Sequence, residues 1–345
     1  MNTGIHGGDV YNNKVNIDFS VNINPFGVPE NVKKAMVEAI DSVGDYPDIS
    51  QERLKKSCAK MLGVNEEYLL FGNGSSELFM TIANTLRPEK VVIPVPSFYG
   101  YEHAFKSASK VNLFYNLKEE DSYCLTEDFF SVIDESIDCI ILANPNNPTG
   151  ALTDKKLLKE ILDTCKRKNI KVVLDECFIE FTNEESAIRL IDEYPNLIIV
   201  RSFTKIFAIP SVRIGYMICS DKSFVNEVSE HLPEWNVSGI AEAAGYECTK
   251  CAEYVLKSRE YADKEREYLL EELKKLGICT FASSANYLLI YDKKDLYDLL
   301  LNQGILIRDC ANFRGLEKGY YRIAVKSHED NVKLIELLRK IYECN

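Results

Sequence analysis

A lysine with a serine three residues before it and an arginine eight residues after it can present one amine between two groups that bind phosphate. That spacing occurs in SFTKIFAIPSVRIG, residues 202–215, as Ser202, Lys205 and Arg213, directly after the apolar run LIIVR. Taken alone, a Ser-x-x-Lys pattern equally describes a surface lysine in a turn, so other segments must decide. Thirty residues upstream of Lys205, KVVLDECF brings an acid, Asp175, to the end of an apolar strand, where a parallel sheet presents its ligands. Another 28 residues upstream, DCIILAN runs into NPNNPTG, a turn dense in Asn and Pro that holds Asn147. The segment LLFGNGSSELFMTIAN places a Gly-rich turn, with Gly74 and Ser75, at the start of a helix, a ready anion site. A carboxylate, an amide, an amine and a phosphate cradle on successive strand ends suit a phosphorylated ring, and the combination points to pyridoxal phosphate.

These residues need a scaffold of alternating strands and helices. Between about residues 89 and 220, β-branched runs (KVVIPV, KVNLFYN, DCIILAN, KVVLDECF, LIIVRS, RIGYMIC) alternate with helical stretches, which predicts a largely parallel α/β sheet. TDKKLLKEILDTCKRKN is the clearest helix, with Thr153 as its expected N-cap. Residues 251–277 form a charged helix closed by Gly277 and read as a connector. After it, ANYLLIY, ILIRD, YYRIAV and two helices make a small α/β unit. The expected division is residues 1–45 as a segment lying across the rest and contributing to the small unit and the site, 46–250 as the large cofactor domain, and 251–345 as connector and small domain.

Composition narrows the function classes. The chain has 345 residues, 46% of them hydrophobic, about two domain-lengths at roughly 150 residues each. Asp and Glu number 53 against 41 Lys and Arg, a net charge of −12, which repels nucleic acid and anionic membrane. No apolar run reaches the roughly 20 residues of a membrane span, and MNTGIHGGDVYNN lacks the pattern of a secretory signal, so a cytoplasmic protein is expected. The 11 cysteines are scattered in apolar stretches, and Cys248 and Cys251 have no second pair at zinc spacing, so no metal site is expected.

With these motifs in order along nearly the whole chain, the sequence resembles the fold-type I, class I/II aminotransferase family. Within it, the likeness is to the branch of threonine-phosphate decarboxylase and histidinol-phosphate aminotransferase. The resemblance implies a large domain with a mostly parallel seven-stranded sheet, a smaller α/β domain, and a homodimer with shared sites. It implies that Lys205 binds the cofactor covalently, Asp175 pairs with the pyridine nitrogen, Asn147 bonds the ring oxygen O3′, and Phe98 of PSFYGY stacks on the ring. Gly74, Ser75, Ser202 and Arg213 match the phosphate site, and Tyr46 of YPD matches a tyrosine that reaches over from the partner subunit.

Two features favour the decarboxylase side of that branch. Histidinol-phosphate aminotransferases commonly carry a tyrosine three residues after the pyridine aspartate, where this chain has Phe178. The opening HGG followed by DFSVNINPFGVP, with DECFIEF, RDCANFRG and YYRIAVKS, resembles threonine-phosphate decarboxylases. The likeness implies that Arg322 holds an α-carboxylate and that Arg308 and His6, with Asn22 close by, meet a substrate phosphate. Arginine suits both tasks because its fork meets oxyanions bidentately. The expected reaction is decarboxylation of O-phosphothreonine, or of a close phosphorylated amino acid, to an aminopropanol phosphate for the cobalamin nucleotide loop. Histidinol-phosphate aminotransferase is the alternative.

Overall fold

The computed structural model describes residues 7–343. Its main sheet has seven strands in the spatial order Leu69–Gly72, Gly215–Ile218, Leu197–Ser202, Lys171–Asp175, Cys139–Ala143, Lys90–Val95, Val111–Asn116. Gly215–Ile218 runs antiparallel to both neighbours, and the remaining pairings are parallel. Leu69–Gly72, reversed twice relative to Leu197–Ser202, therefore points the same way as the parallel strands. One edge of the sheet collects the C-terminal ends of six strands and the N-terminal end of the seventh.

The strand sequences are near-continuous apolar runs because both faces are covered. Successive side chains alternate between two cores: Val172 and Leu174 pack on one face with Ile140, Leu142, Leu197 and Ile199, while Val173 packs on the other with Ile141, Ile198 and Val200. The helix Lys155–Arg167 covers the first face with Leu157, Leu158, Ile161, Leu162 and Cys165, all buried. Its N-cap is Asp154, not Thr153: the Asp154 carboxylate accepts from the N–H groups of Lys156 and Leu157 at 2.9 and 3.0 Å. An aspartate reaches two N–H groups there and adds favourable charge at the helix N-terminus, which the neighbouring threonine cannot match.

The helix Ala252–Lys275 is about 36 Å long at 1.5 Å per residue. Its first half, around Ala262, packs on the core of the main sheet, and its second half, with Leu269 and Leu273, packs on a separate core. That second core lies under a four-stranded antiparallel sheet in the order Arg308–Asp309, Tyr320–Ala324, Tyr287–Tyr291, Cys279–Thr280, backed by the helix His328–Glu343. The N-terminal stretch joins the two bodies. Ile17–Asp18 pairs in parallel with Ile305–Leu306, and the Asn24 side chain donates to the Ile206 carbonyl and to Ser258 Oγ, both at 2.7 Å. The cysteines described are free and most are buried. No helix among the described residues is long and apolar enough to cross a membrane.

Candidate active site

A cavity of about 760 Å³ opens at the sheet edge where the strand ends converge. Asp175 is the last residue of its strand, and Phe98, Asn147 and Lys205 follow theirs by three to four residues. All four line the cavity. Arg213 reaches it from the other direction, two residues before the antiparallel strand Gly215–Ile218. The strand order thus brings together residues that are up to 115 positions apart in the chain (98 to 213).

The phosphate end of the cavity is built by close packing around the first turn of the helix Ser75–Leu86. Gly74, its N-cap, has φ +79°, and a Cβ there would lie 2.2 Å from Arg213 Nη2. A Cβ on Gly215 would lie 2.9 Å from the Ser75 nitrogen and from the Arg201 carbonyl oxygen. Both glycines let a guanidinium and a helix N-terminus approach one spot, with Ser75 and Ser76 lining it. Such a donor set suits a phosphate dianion.

Burial governs the titrating groups. It lowers the Lys205 amine to about 8, with the Arg322 and Arg213 guanidinium charges adding to the depression while Asp175 opposes it. A neutral amine is then available near pH 8 as a nucleophile. Burial raises the Asp175 carboxyl above the usual aspartate range; hydrogen bonds from Cys177 and Tyr101 and the charge of Lys205 work against the rise. The Cys177 N–H donates to Oδ1 at 2.8 Å and the Tyr101 hydroxyl to Oδ2 at 2.5 Å.

The small unit supplies cationic groups to the same cavity. Arg308 and Arg322 each keep 6% of their surface exposed, and both line the cavity. Arg322 donates to Asn147 Oδ1 and, at 2.7 Å, to the Ser20 carbonyl. Arg308 donates to the Asp309 carbonyl and, at 2.7 Å, to Asn312 Oδ1. The buried Nε of Arg322 and the buried Oδ1 of Asn22 lack hydrogen-bond partners among the described residues, and both residues line the cavity. A carboxylate at Arg322 would satisfy that orphaned donor.

Ser202, Gly74 and Tyr46 are not among the residues lining this cavity, and a fourth expected site residue, His6, is not described. Ser202 does not line the cavity: its hydroxyl caps the short helix Phe203–Ile206, accepting from the Thr204 N–H at 3.2 Å and bonding Thr204 Oγ1 at 2.7 Å. Thr204 lines the cavity in its place. Gly74 lies beneath the wall and acts through the room it leaves for Arg213. Tyr46 is 80% exposed on the surface, its ring centroid 4.7 Å from that of Trp235, and is remote from its own chain's cavity lining. His6 lies outside the described residues. Tyr101, Cys177 and the mouth pair Glu102 and Arg314, bonded at 2.9 Å, are cavity residues that the motifs alone do not single out. Among the described residues, no cluster of His, Cys, Asp or Glu is arranged to hold a metal ion.

The fold and site agree with what the chain is similar to. The model of the class I and II aminotransferases matches residues 14–341. The chain belongs to the class I and II aminotransferase family. Members of this family use pyridoxal phosphate, and the donor set described above fits it: a buried amine, a buried carboxylate, an amide, and a phosphate cradle that Cβ atoms would fill. Among aminotransferase-family relatives, the threonine-phosphate decarboxylase of Salmonella typhimurium is 35% identical over 337 residues, covering 94% of this chain and 91% of that protein. The crystal structure of the histidinol-phosphate aminotransferase from Clostridium acetobutylicum superposes with a TM-score of 0.90 at 35% identity, over 95% of this chain and 100% of that one. That of the L-threonine-O-3-phosphate decarboxylase from Porphyromonas gingivalis gives 0.84 at 28% identity, over 95% and 99%.

Proposed function

We propose that this enzyme is a pyridoxal-phosphate-dependent decarboxylase of O-phosphothreonine, or of a close phosphorylated amino acid, and that it works as a homodimer. The observation that carries the reading is the pair of buried arginines, Arg308 and Arg322, that line the cavity with the residues assigned to the cofactor. A substrate with an α-carboxylate and a side-chain phosphate offers one oxyanion to each. When bound, pyridoxal phosphate supplies an electron sink for the pair released as a bond to the substrate α-carbon breaks. Lys205 would hold the cofactor, Asp175 would keep a proton at the pyridine nitrogen, Asn147 would bond O3′, Phe98 would cover the ring, and Ser75 and Arg213 would hold the phosphate.

The chain's own residues then select the reaction. Decarboxylation and transamination differ in which α-carbon bond stands perpendicular to the ring. Arg322, tied to Asn147 and Ser20, fixes where the carboxylate sits, and Arg308 fixes the far end. Two anchors on one small molecule set its rotation about the α-carbon. After CO2 leaves, Lys205 in its ammonium form, accessible with a pKa near 8, would give a proton to that carbon and be left as the neutral amine. Phe178 supports the decarboxylase reading: it lines the cavity, with its ring edge-on to Tyr287 at 5.0 Å, and has no hydroxyl to give to O3′.

Histidinol-phosphate aminotransferase is the second reading, favoured by the likeness to the Clostridium acetobutylicum enzyme. That substrate also carries a phosphate for Arg308 but has no α-carboxylate for Arg322. Incubating the loaded enzyme with O-phosphothreonine and assaying CO2 tests the proposal. Turnover without CO2 release would refute it.

A further inference from the structure

Asp175 is held at both carboxylate oxygens, by donors of different origin. Cys177, at the same strand end, gives its N–H, a local turn that any residue at 177 would supply, and its thiol, a weak donor. The Tyr101 hydroxyl comes from the helix Tyr99–Phe105, 74 residues earlier in the chain. Tyr101 is 1% exposed, and its ring stands edge-on to Phe79 at 5.2 Å and to Phe98 at 5.6 Å. Apolar contacts alone would be met equally well by phenylalanine. A buried hydroxyl is costly unless bonded, so its presence at this position is accounted for by its carboxylate acceptor.

We propose that Tyr101 is a positioning residue for the cofactor's pyridine nitrogen, acting through Asp175: its hydroxyl holds and aims the carboxylate, while its ring edge sets the plane of Phe98. The inference rests on the pyridoxal phosphate reading above. Its physical basis is the competition at Asp175. Burial pushes the carboxyl toward its neutral form, which cannot serve as counter-ion to a protonated ring nitrogen. Donors to the charged form oppose that push. The groups facing Asp175 are Tyr101 from the helix, Cys177 from its own strand end, Lys205 from the short helix Phe203–Ile206, and Tyr287 from the strand Tyr287–Tyr291. Tyr287 gives its hydroxyl elsewhere, to the Asn146 carbonyl at 2.9 Å. Lys205 favours the charged carboxylate as a free ammonium, and that ammonium would no longer exist once the amine held the cofactor. The hydrogen bonds of Tyr101 and Cys177 then carry the task, and of the two side chains the Tyr101 hydroxyl is the stronger donor, because a thiol donates weakly.

The test uses holoenzyme loaded with pyridoxal phosphate carrying 15N in the ring and follows the nitrogen's NMR shift against pH. In the wild type the nitrogen stays protonated through neutral pH. In Tyr101→Phe, Asp175 is less stable as an anion, so the ring nitrogen loses its proton about one pH unit or more lower, a tenfold change in its acidity. Cofactor retention stays at the wild-type level because the phosphate donors are untouched, and kcat falls while KM, set by the arginines, holds. Tyr287→Phe removes a hydroxyl from the same neighbourhood and leaves the nitrogen's titration at its wild-type position. Superimposable titrations for wild type and Tyr101→Phe would overturn the inference, as would an equal shift in Tyr287→Phe. A wild type that takes up no cofactor would instead overturn the pyridoxal phosphate reading.

Discussion

Arg308 and Arg322 are direct cross-strand partners in the antiparallel pair formed by Arg308–Asp309 and Tyr320–Ala324. Like charges directly opposite one another destabilise a sheet, and burial adds the cost of desolvating both, which pushes both guanidinium pKa values down, the Arg308 charge pushing Arg322 further. The arrangement is explained if anions belong between and beyond them. Arg308→Ala is therefore expected to cost about 2–4 kcal/mol in kcat/KM for a phosphorylated substrate. With the unphosphorylated amino acid the same change has little further effect, so comparing two enzymes on two substrates isolates the contact. Equal losses on both substrates would assign Arg308 to the fold rather than to the phosphate.

Lys205 supplies a pH prediction. Its pKa is lowered from the ordinary lysine value to about 8, so in the unloaded protein the neutral, reactive amine accumulates as pH rises through that value. Trapping of pyridoxal phosphate on Lys205 by borohydride should increase with pH with an apparent midpoint near 8. The linkage has the same sign: between about 8 and 10.5 the unfolded chain binds more protons at this site, so its contribution to stability grows with rising pH. Peptide mapping should find the reduced adduct on Lys205 and none in Lys205→Ala. An adduct on another lysine would contradict the assignment.

Gly74 occupies a backbone region that is essentially reserved for glycine, with φ +79° and ψ 168°. Gly74→Ala adds strain of about 1–3 kcal/mol and drives a methyl into the Arg213 guanidinium. Its expected effect is a loss of cofactor affinity that exceeds the loss of thermal stability, measured by equilibrium dialysis and melting. Unchanged affinity would remove Gly74 and Arg213 from the phosphate site.

Tyr46 lies on an exposed apolar surface with Val37, Ile40, Val43, Ile49 and Trp235, each more than 40% exposed. A second copy covering this surface would bring Tyr46 to the partner's phosphate site. Tyr46→Phe should then weaken cofactor retention by about 1–3 kcal/mol, the worth of a hydrogen bond to a charged group. Light scattering should give a dimer. A monomer with intact cofactor binding would refute the shared site.

The strand-end residues were legible in the sequence because buried parallel strands read as apolar runs, and a polar residue ending such a run stands out. Asp175 and Asn147 were marked that way and Lys205 by its spacing from Ser202 and Arg213, while the alternation of the runs predicted a largely parallel α/β sheet and the count of seven strands came only with the family resemblance. What the sequence hid depended on angles and register. Ser202 and Thr204 are both hydroxyls beside Lys205, and only the start of a one-turn helix decides that Ser202 turns inward as a cap while Thr204 faces the cavity. Asp154 displaces Thr153 as N-cap for a similar reason, a shift of one residue at a helix start. The Tyr101 contact with Asp175 spans two elements with no pattern linking them. The facing of Arg308 and Arg322 depends on the register set by the turn between their strands.

The proposed reaction needs no amino acceptor. Decarboxylation followed by protonation at the α-carbon returns the cofactor to its starting aldehyde, whereas transamination stops after one half-reaction unless a keto acid follows. The decisive measurement follows CO2 and glutamate together, with O-phosphothreonine and with histidinol phosphate, in the presence and absence of 2-oxoglutarate. Sustained CO2 release from O-phosphothreonine is expected, at a rate that 2-oxoglutarate does not change and without glutamate. Glutamate accumulating in step with the disappearance of histidinol phosphate, with no CO2 from O-phosphothreonine, would contradict the proposed reaction.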